Sequence, residues 1–151
     1  MRKRRALAVM IDRIPDCLRC RYVLMGRSVE RDGGLDCWGF FREMRRLHGL
    51  AVPPPFVVGD FDEARRLFDE GMFSVDWVRL RVPEPGCLVL IRMGCRDHCG
   101  IVLDGCRSFA HLPMRGGAKV DGLDRQPWAD NILGYFRYAP SGLGEGDGQS
   151  D

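Results

Sequence analysis

The chain has 151 residues, a formal net charge of +2, and 45% hydrophobic against 29% charged residues. That size holds one ordinary domain with a single core, and the composition is that of a soluble globular protein. No apolar run approaches the ~18 residues of a membrane span, and so small a net charge gives no footing for nucleic-acid binding.

Residues 1 to 6 form a basic N-terminal segment whose Arg2 to Arg5 patch reads as a solvated terminus. The opening MRKRRALAVMIDR imitates a signal peptide, yet Asp12 and Arg13 cut its apolar run short and no small-residue cleavage site follows. Synthesis in the cytoplasm without secretory export is the expectation. Seven cysteines in such a chain stay reduced while it is made, so catalysis and metal binding are weighed ahead of a disulfide framework.

Leu7, Met10, Ile11 and Ile14 at helical spacing predict a first helix over residues 7 to 20, interrupted by Pro15. Residues 22 to 35, rich in glycine and charge, read as loop. Asp36 is an N-cap candidate for a helix over 37 to 48. Its Cys37, Phe40, Phe41, Met44 and Leu47 trace the apolar face, and Arg42, Glu43, Arg45 and Arg46 the polar one. The run GLAVPPPF is an extended surface connection. A further helix starts at Asp60, with Glu63 completing a capping-box-like pattern and Phe61, Ala64, Leu67 and Phe68 as its buried face, and ends near Gly71.

From residue 86 the period changes to short β-rich runs over 87 to 92, 98 to 103, 106 to 111, 118 to 123 (the weakest) and 132 to 138. Helices first and then an antiparallel sheet make an α+β domain over residues 7 to 140. Residues 141 to 151, SGLGEGDGQSD, are polar with no packing residue beyond Leu143 and read as a disordered Gly-rich tail. Trp77 and Trp128 carry no motif and are taken as structural.

The chemistry converges on Cys37. At the first turn of a helix its sulfur faces unsatisfied N–H groups and the positive dipole end, which favours thiolate; Asp36 opposes slightly. An activated cysteine also needs a base. His48 lies about three turns along the same helix, out of reach at ~1.5 Å per residue. His98 and His111 flank the Asp104–Gly105 turn signal. A two-residue loop there pairs Leu103 with Cys106 and, counting outward, His98 with His111. Residues so paired share a face, so one imidazole orients the other. Gly100, on that same face, leaves room for a close approach.

Cys17 and Cys20, with Cys95, Cys99 and Cys106, are the rival: four thiolates at a zinc or iron–sulfur centre. Regular paired CxxC spacing is missing, and Cys99 on a strand points away from His98. No cofactor is expected for the cysteine-based chemistry.

In order, YVLMG…GGLDCWGF, PGCLVLIR and DHCGIVLDGCRSFAH resemble the NlpC/P60 cysteine peptidases over residues 7 to 139. The Asp-Cys-Trp-Gly variant and the W…ILGYFRY ending are most similar to the subgroup in tailed-phage tails. The resemblance implies a papain-like fold, with N-terminal helices on a central antiparallel sheet. It also implies Cys37 as nucleophile, His98 as general base, His111 as the orienting third member, and Tyr22 beside the Cys37 N–H in the oxyanion site. Asp36 and Trp38 would flank the substrate. Three positions depart from the family pattern: Met25 for the first of two glycines, Cys87 for an aspartate, and Trp38 for a small polar residue.

The function so implied is hydrolysis of peptidoglycan stem peptides by a tail-borne peptidase. It would be made in the host cytoplasm, housed in the virion tail among tail-tip or hub proteins, and would act at the host cell wall or periplasm. The alternative is a structural tail-tip component that keeps the fold with little activity and holds a metal through the other cysteines.

Overall fold

The computed structural model describes residues 11–55, 76–94 and 96–140. Its centre is a six-stranded antiparallel sheet in the order β3-β8-β4-β5-β6-β7, built from β3 (Trp77–Leu80), β4 (Leu88–Met93), β5 (Arg96–Val102), β6 (Ser108–His111), β7 (Lys119–Gly122) and β8 (Ile132–Tyr138). Strands β4 to β7 follow one another as neighbours, and β8 returns to pair with β4 on one side and β3 on the other. Before the sheet come β1 (Arg27–Ser28), a one-turn α1 (Val29–Asp32), β2 (Gly34–Leu35) and the helix α2 (Cys37–Leu47). The α+β architecture, with helix on antiparallel sheet, is that expected.

Strand alternation divides the sheet into two faces. Leu88, Leu90, Cys99, Ile101, Ala110 and Leu112 share one core with Phe40, Phe41 and Met44 of α2. Cys87, Val89, Ile91, Val102 and Phe109 form a second core with Leu123 and Trp128. Central β4 is apolar without alternation because both its faces are covered.

The connection after α2 folds back along that helix. Pro54, Pro53 and Ala51 carbonyls accept from Trp38 Nε1 at 3.3 Å, Arg42 Nε at 2.7 Å and Arg45 Nε at 2.6 Å. A run of prolines has acceptors and no donors, and donors spaced along one side of a helix match it. Arg45, placed on the polar face by periodicity, is instead buried. It also donates to Gly86 O at 2.7 Å and lies 5.8 Å from the Phe41 and Tyr138 ring centres.

Other expectations are corrected. In place of a helix up to residue 20, residues 11 to 15 are irregular and only Asp16–Leu18 makes a 3-10 turn, since Pro15 turns Ile14 away from helical backbone. The stretch read as loop holds β1, α1 and β2. Ser28 caps α1 by accepting from Arg31 N at 3.2 Å, and Gly33 closes it at φ 80. Strand β3 was not anticipated. The helix expected from Asp60, the basic N-terminal segment and the Gly-rich tail lie outside the described residues, as do residues 7 to 10 of the first expected helix.

The β5–β6 connection differs in a way that matters. Gly100 pairs with His111, Ile101 with Ala110 and Val102 with Phe109, a loop two residues longer than expected. Asp104 N donates to Ile11 O at 2.8 Å, and the left-handed residues are Gly105 and Cys106 rather than Asp104 and Gly105. A shift of two leaves every side chain on its expected face.

Candidate active site

Asp36 starts the site. Its Oδ1 accepts from Gly39 N at 2.7 Å, the N-cap bond of α2, and from Arg27 Nη1 at 2.7 Å. Arg27 is brought there by pairing with Leu35 in the β1–β2 ribbon. Gly26 O lies so close to the first turn of α2 that a Cβ at Gly39 would collide with it. The helix start is thereby clamped, and Cys37, 8% exposed, is held at its first position.

On the sheet, His98 Nε2 stands 2.8 Å from His111 Nδ1, and His111 Nε2 stands 2.7 Å from Asp121 Oδ2. A carboxylate only accepts, so His111 carries its proton on Nε2 and offers Nδ1 as acceptor to His98 Nε2–H. His98 Nδ1 is then the nitrogen left for Cys37, whose thiol has His98 as a hydrogen-bonding partner. His111 is fully buried among Phe109 and Trp128, with ring centres at 4.5 and 4.8 Å.

The electrostatics follow the contacts. Cys37 is pulled down to about 5, first by its hydrogen bond with the Cys99 thiol, then by the hydrogen bond and charge of His98; burial and the Asp36 carboxylate work against this. Cys99 is pushed well up by the same partner and by burial. Burial, then the charge of His98, lowers His111 to about 4 against the pull of Asp121, so His111 is neutral near pH 7 and its contact with Asp121 is a hydrogen bond rather than an ion pair.

Of the residues singled out in the sequence, the structure brings Cys37, His98 and His111 together. Tyr22 forms a parallel bridge with Leu35, two residues before Cys37, and its hydroxyl is buried. Asp36 is occupied as cap and as partner of Arg27. Trp38 points into the core: it is 5% exposed, stacks on Phe41 at 5.6 Å and lies 6.2 Å from Trp77. The cysteines of the rival reading are not gathered. Cys17 is exposed, Cys20 and Cys106 are half-buried, Cys99 faces Cys37, and Cys95 lies outside the described residues. Among the described residues no three His, Cys, Asp or Glu side chains could hold a metal ion.

Sequence reasoning passed over Asp121 and the Cys37–Cys99 contact. Asp121 sits on the weakest predicted strand, whose register against β6, His111 with Lys119, depends on the Pro- and Gly-containing connection before it. Cys99 was assigned to the face away from His98, which is correct for alternation. That face is the one on which α2 packs, so Cys37 at its start meets Cys99, with His98 as a second partner of the thiol.

No family model matches the sequence, and no curated protein does. Solved structures do. An NlpC/P60 family protein from Bacillus cereus ATCC 10987 superposes with a TM-score of 0.54 at 19% identity, over 82% of this chain and 37% of its own. A lipoprotein-like NLP/P60 family protein from Staphylococcus aureus subsp. aureus Mu50 gives 0.53 at 21% identity, over 79% and 36%. The chain has an NlpC/P60-type fold. The NlpC/p60 domain of the peptidoglycan hydrolase SagA gives 0.50 at 19% identity, over 80% of this chain and 88% of that domain. This chain spans little more than a third of the first two proteins, 37% and 36%. The match to an isolated domain accords with an NlpC/P60-type unit that sits in chains of different lengths.

Proposed function

We propose that this NlpC/P60-type domain is a cysteine peptidase acting on the stem peptides of bacterial peptidoglycan. The observation that carries the reading is the chain of contacts from Cys37 through His98 and His111 to Asp121. The Cys37 thiolate attacks a peptide carbonyl carbon, and the oxyanion is met by the Cys37 backbone N–H and the Tyr22 hydroxyl. His98 gives its Nδ1 proton to the leaving amine, and a thioester remains on Cys37. Water then attacks the thioester as His98 takes its proton, releasing the acid and restoring the thiolate. Neutral His111, fixed in its tautomer by Asp121, keeps the His98 ring aimed at sulfur. These steps draw on side chains and one backbone N–H of this chain, and on water.

The substrate class rests on the fold, one solved example of which is the domain of a peptidoglycan hydrolase, and on the sequence resemblance. The placement in a phage tail, with tail-tip or hub proteins as neighbours and the host wall or periplasm as the place of action, rests on the Asp-Cys-Trp-Gly and ILGYFRY segments. Purified muropeptides incubated with wild type release new peptide fragments, whereas Cys37→Ala releases none. Equal product from both proteins refutes the peptidase; no product from either, with wild-type protein incorporated stably into tails, favours the structural tail component.

A further inference from the structure

Cys99 takes no part in the proposed reaction, yet Cys37 and Cys99 lie in one buried cluster where α2 packs on β5, and Cys99 stands beside His98 as a partner of the Cys37 thiol. Cys99 points from β5 to the face on which α2 packs, the face that holds Cys37. From this juxtaposition we infer that Cys37 and Cys99 are a reversible dithiol–disulfide pair: hydrogen peroxide oxidises Cys37, and Cys99 closes the disulfide.

The step balances. The Cys37 thiolate attacks one peroxide oxygen, the O–O bond breaks, and sulfenic acid forms with release of hydroxide, which takes up a proton. Cys99 loses its proton, its sulfur attacks the Cys37 sulfur, the S–O bond breaks and water leaves. Two thiols have been oxidised to one disulfide and one peroxide reduced to two waters. A dithiol reductant reverses it. The order of events follows exposure: Cys37 is 8% exposed and Cys99 2%, so oxidant meets Cys37 first and Cys99 acts as the resolving thiol. The thiolate character of Cys37 and the protonated state of Cys99 agree with those roles. While the disulfide stands, the sulfur carries no lone nucleophilic charge. Its consequence, a peptidase switched off by oxidation and shielded from sulfinic acid, rests on the function proposed above; the bond itself does not.

The test uses the full chain treated with hydrogen peroxide, alkylated, digested and mapped by mass, beside Cys99→Val, which keeps an apolar group at the site and whose fold is checked by circular dichroism. The wild type yields one cross-linked peptide pair joining the Cys37 and Cys99 segments, and dithiothreitol restores an alkylatable Cys37. In Cys99→Val, Cys37 passes to sulfinic acid and dithiothreitol no longer restores it. Wild-type Cys37 going to sulfinic acid, or cross-linking to another cysteine, overturns the inference. Should Cys99→Val not fold, the wild-type cross-link decides alone. Muropeptide cleavage by the reduced protein is measured separately, so an inactive chain that forms the bond leaves the pair standing and removes only the switch.

Discussion

His98 and His111 touch across a diagonal of the sheet, Nε2 to Nδ1 at 2.8 Å, while the residue directly opposite His111 is Gly100. The next contact repeats the offset: His111 is opposite Lys119 and bonds to Asp121 two residues on. Direct partners stand ~4.5–5.5 Å apart at Cβ, close for two rings, and diagonal neighbours lie ~7–8 Å apart, which long planar side chains span end to end. The diagonal therefore gives the geometry in which imidazole nitrogens meet.

Gly100 makes that diagonal possible. A Cβ there would lie 2.8 Å from Ala110 O and Phe109 Cδ2 and 3.1 Å from His111 Cβ. Gly100→Ala should push β6 and the His111 ring away, with an overpacking cost of about 1–3 kcal/mol. The predicted outcome is a lower Tm together with a fall in kcat larger than any change in KM. Unchanged kcat in a protein that melts normally counts against a positioned His111.

The depressed His111 value gives stability a pH dependence whose sign is fixed. The unfolded chain holds this imidazole at its ordinary 6.5 and the folded one at about 4. Between those values the unfolded chain binds the extra proton, so stability is lost as pH falls from about 6.5 to about 4, by ~3 kcal/mol at most. His111→Asn, which keeps an acceptor toward His98 and a donor toward Asp121, should flatten that acid limb in denaturant melts. Asp121→Ala leaves the tautomer of His111 unfixed and should lower kcat by about 10- to 100-fold, as loss of an outer partner does, with KM little moved.

The helix of Cys37 was legible in the sequence to within a residue because cap, periodicity and termination agreed on it. The even parity of the β5–β6 loop was legible too, and with it the shared face of the two histidines. The loop length was not, because Asp104–Gly105 resembles a two-residue turn while Asp104 is bonded to distant Ile11. Arg45 differs from its expected place because helical period sets a side chain on a face, but neighbouring segments, here the carbonyls of Ala51 and Gly86, decide whether that face is covered.

Thiolate character in Cys37 is measurable without a substrate. Alkylation by iodoacetamide, mapped to this cysteine among seven, should hold its rate down to near pH 5 and fall below it, because the thiol is lowered to about 5. The first cause of that lowering is the Cys99 thiol, so Cys99→Val should move the midpoint upward, and His98→Ala should move it upward as well. A midpoint at the ~8.5 of a free thiol in the wild type contradicts the arrangement, and an unmoved midpoint in Cys99→Val removes Cys99 as its cause.

Trp38 follows Cys37 directly in sequence, and the family resemblance turns its ring toward substrate; its position in the structure predicts a different mutant. The indole is 5% exposed, stacked on Phe41 and close to Trp77, and its Nε1 donates to Pro54 O. Trp38→Ala should cost about 3–5 kcal/mol through lost burial and the cavity left behind. Trp38→Phe keeps most of the packing, loses the hydrogen bond and should cost about 1 kcal/mol, with KM for muropeptides unchanged. Urea melts of both variants separate the two placements: a large loss for alanine and a small one for phenylalanine marks a core ring. Near-wild-type stability in both, with KM raised, would instead place the indole against the substrate.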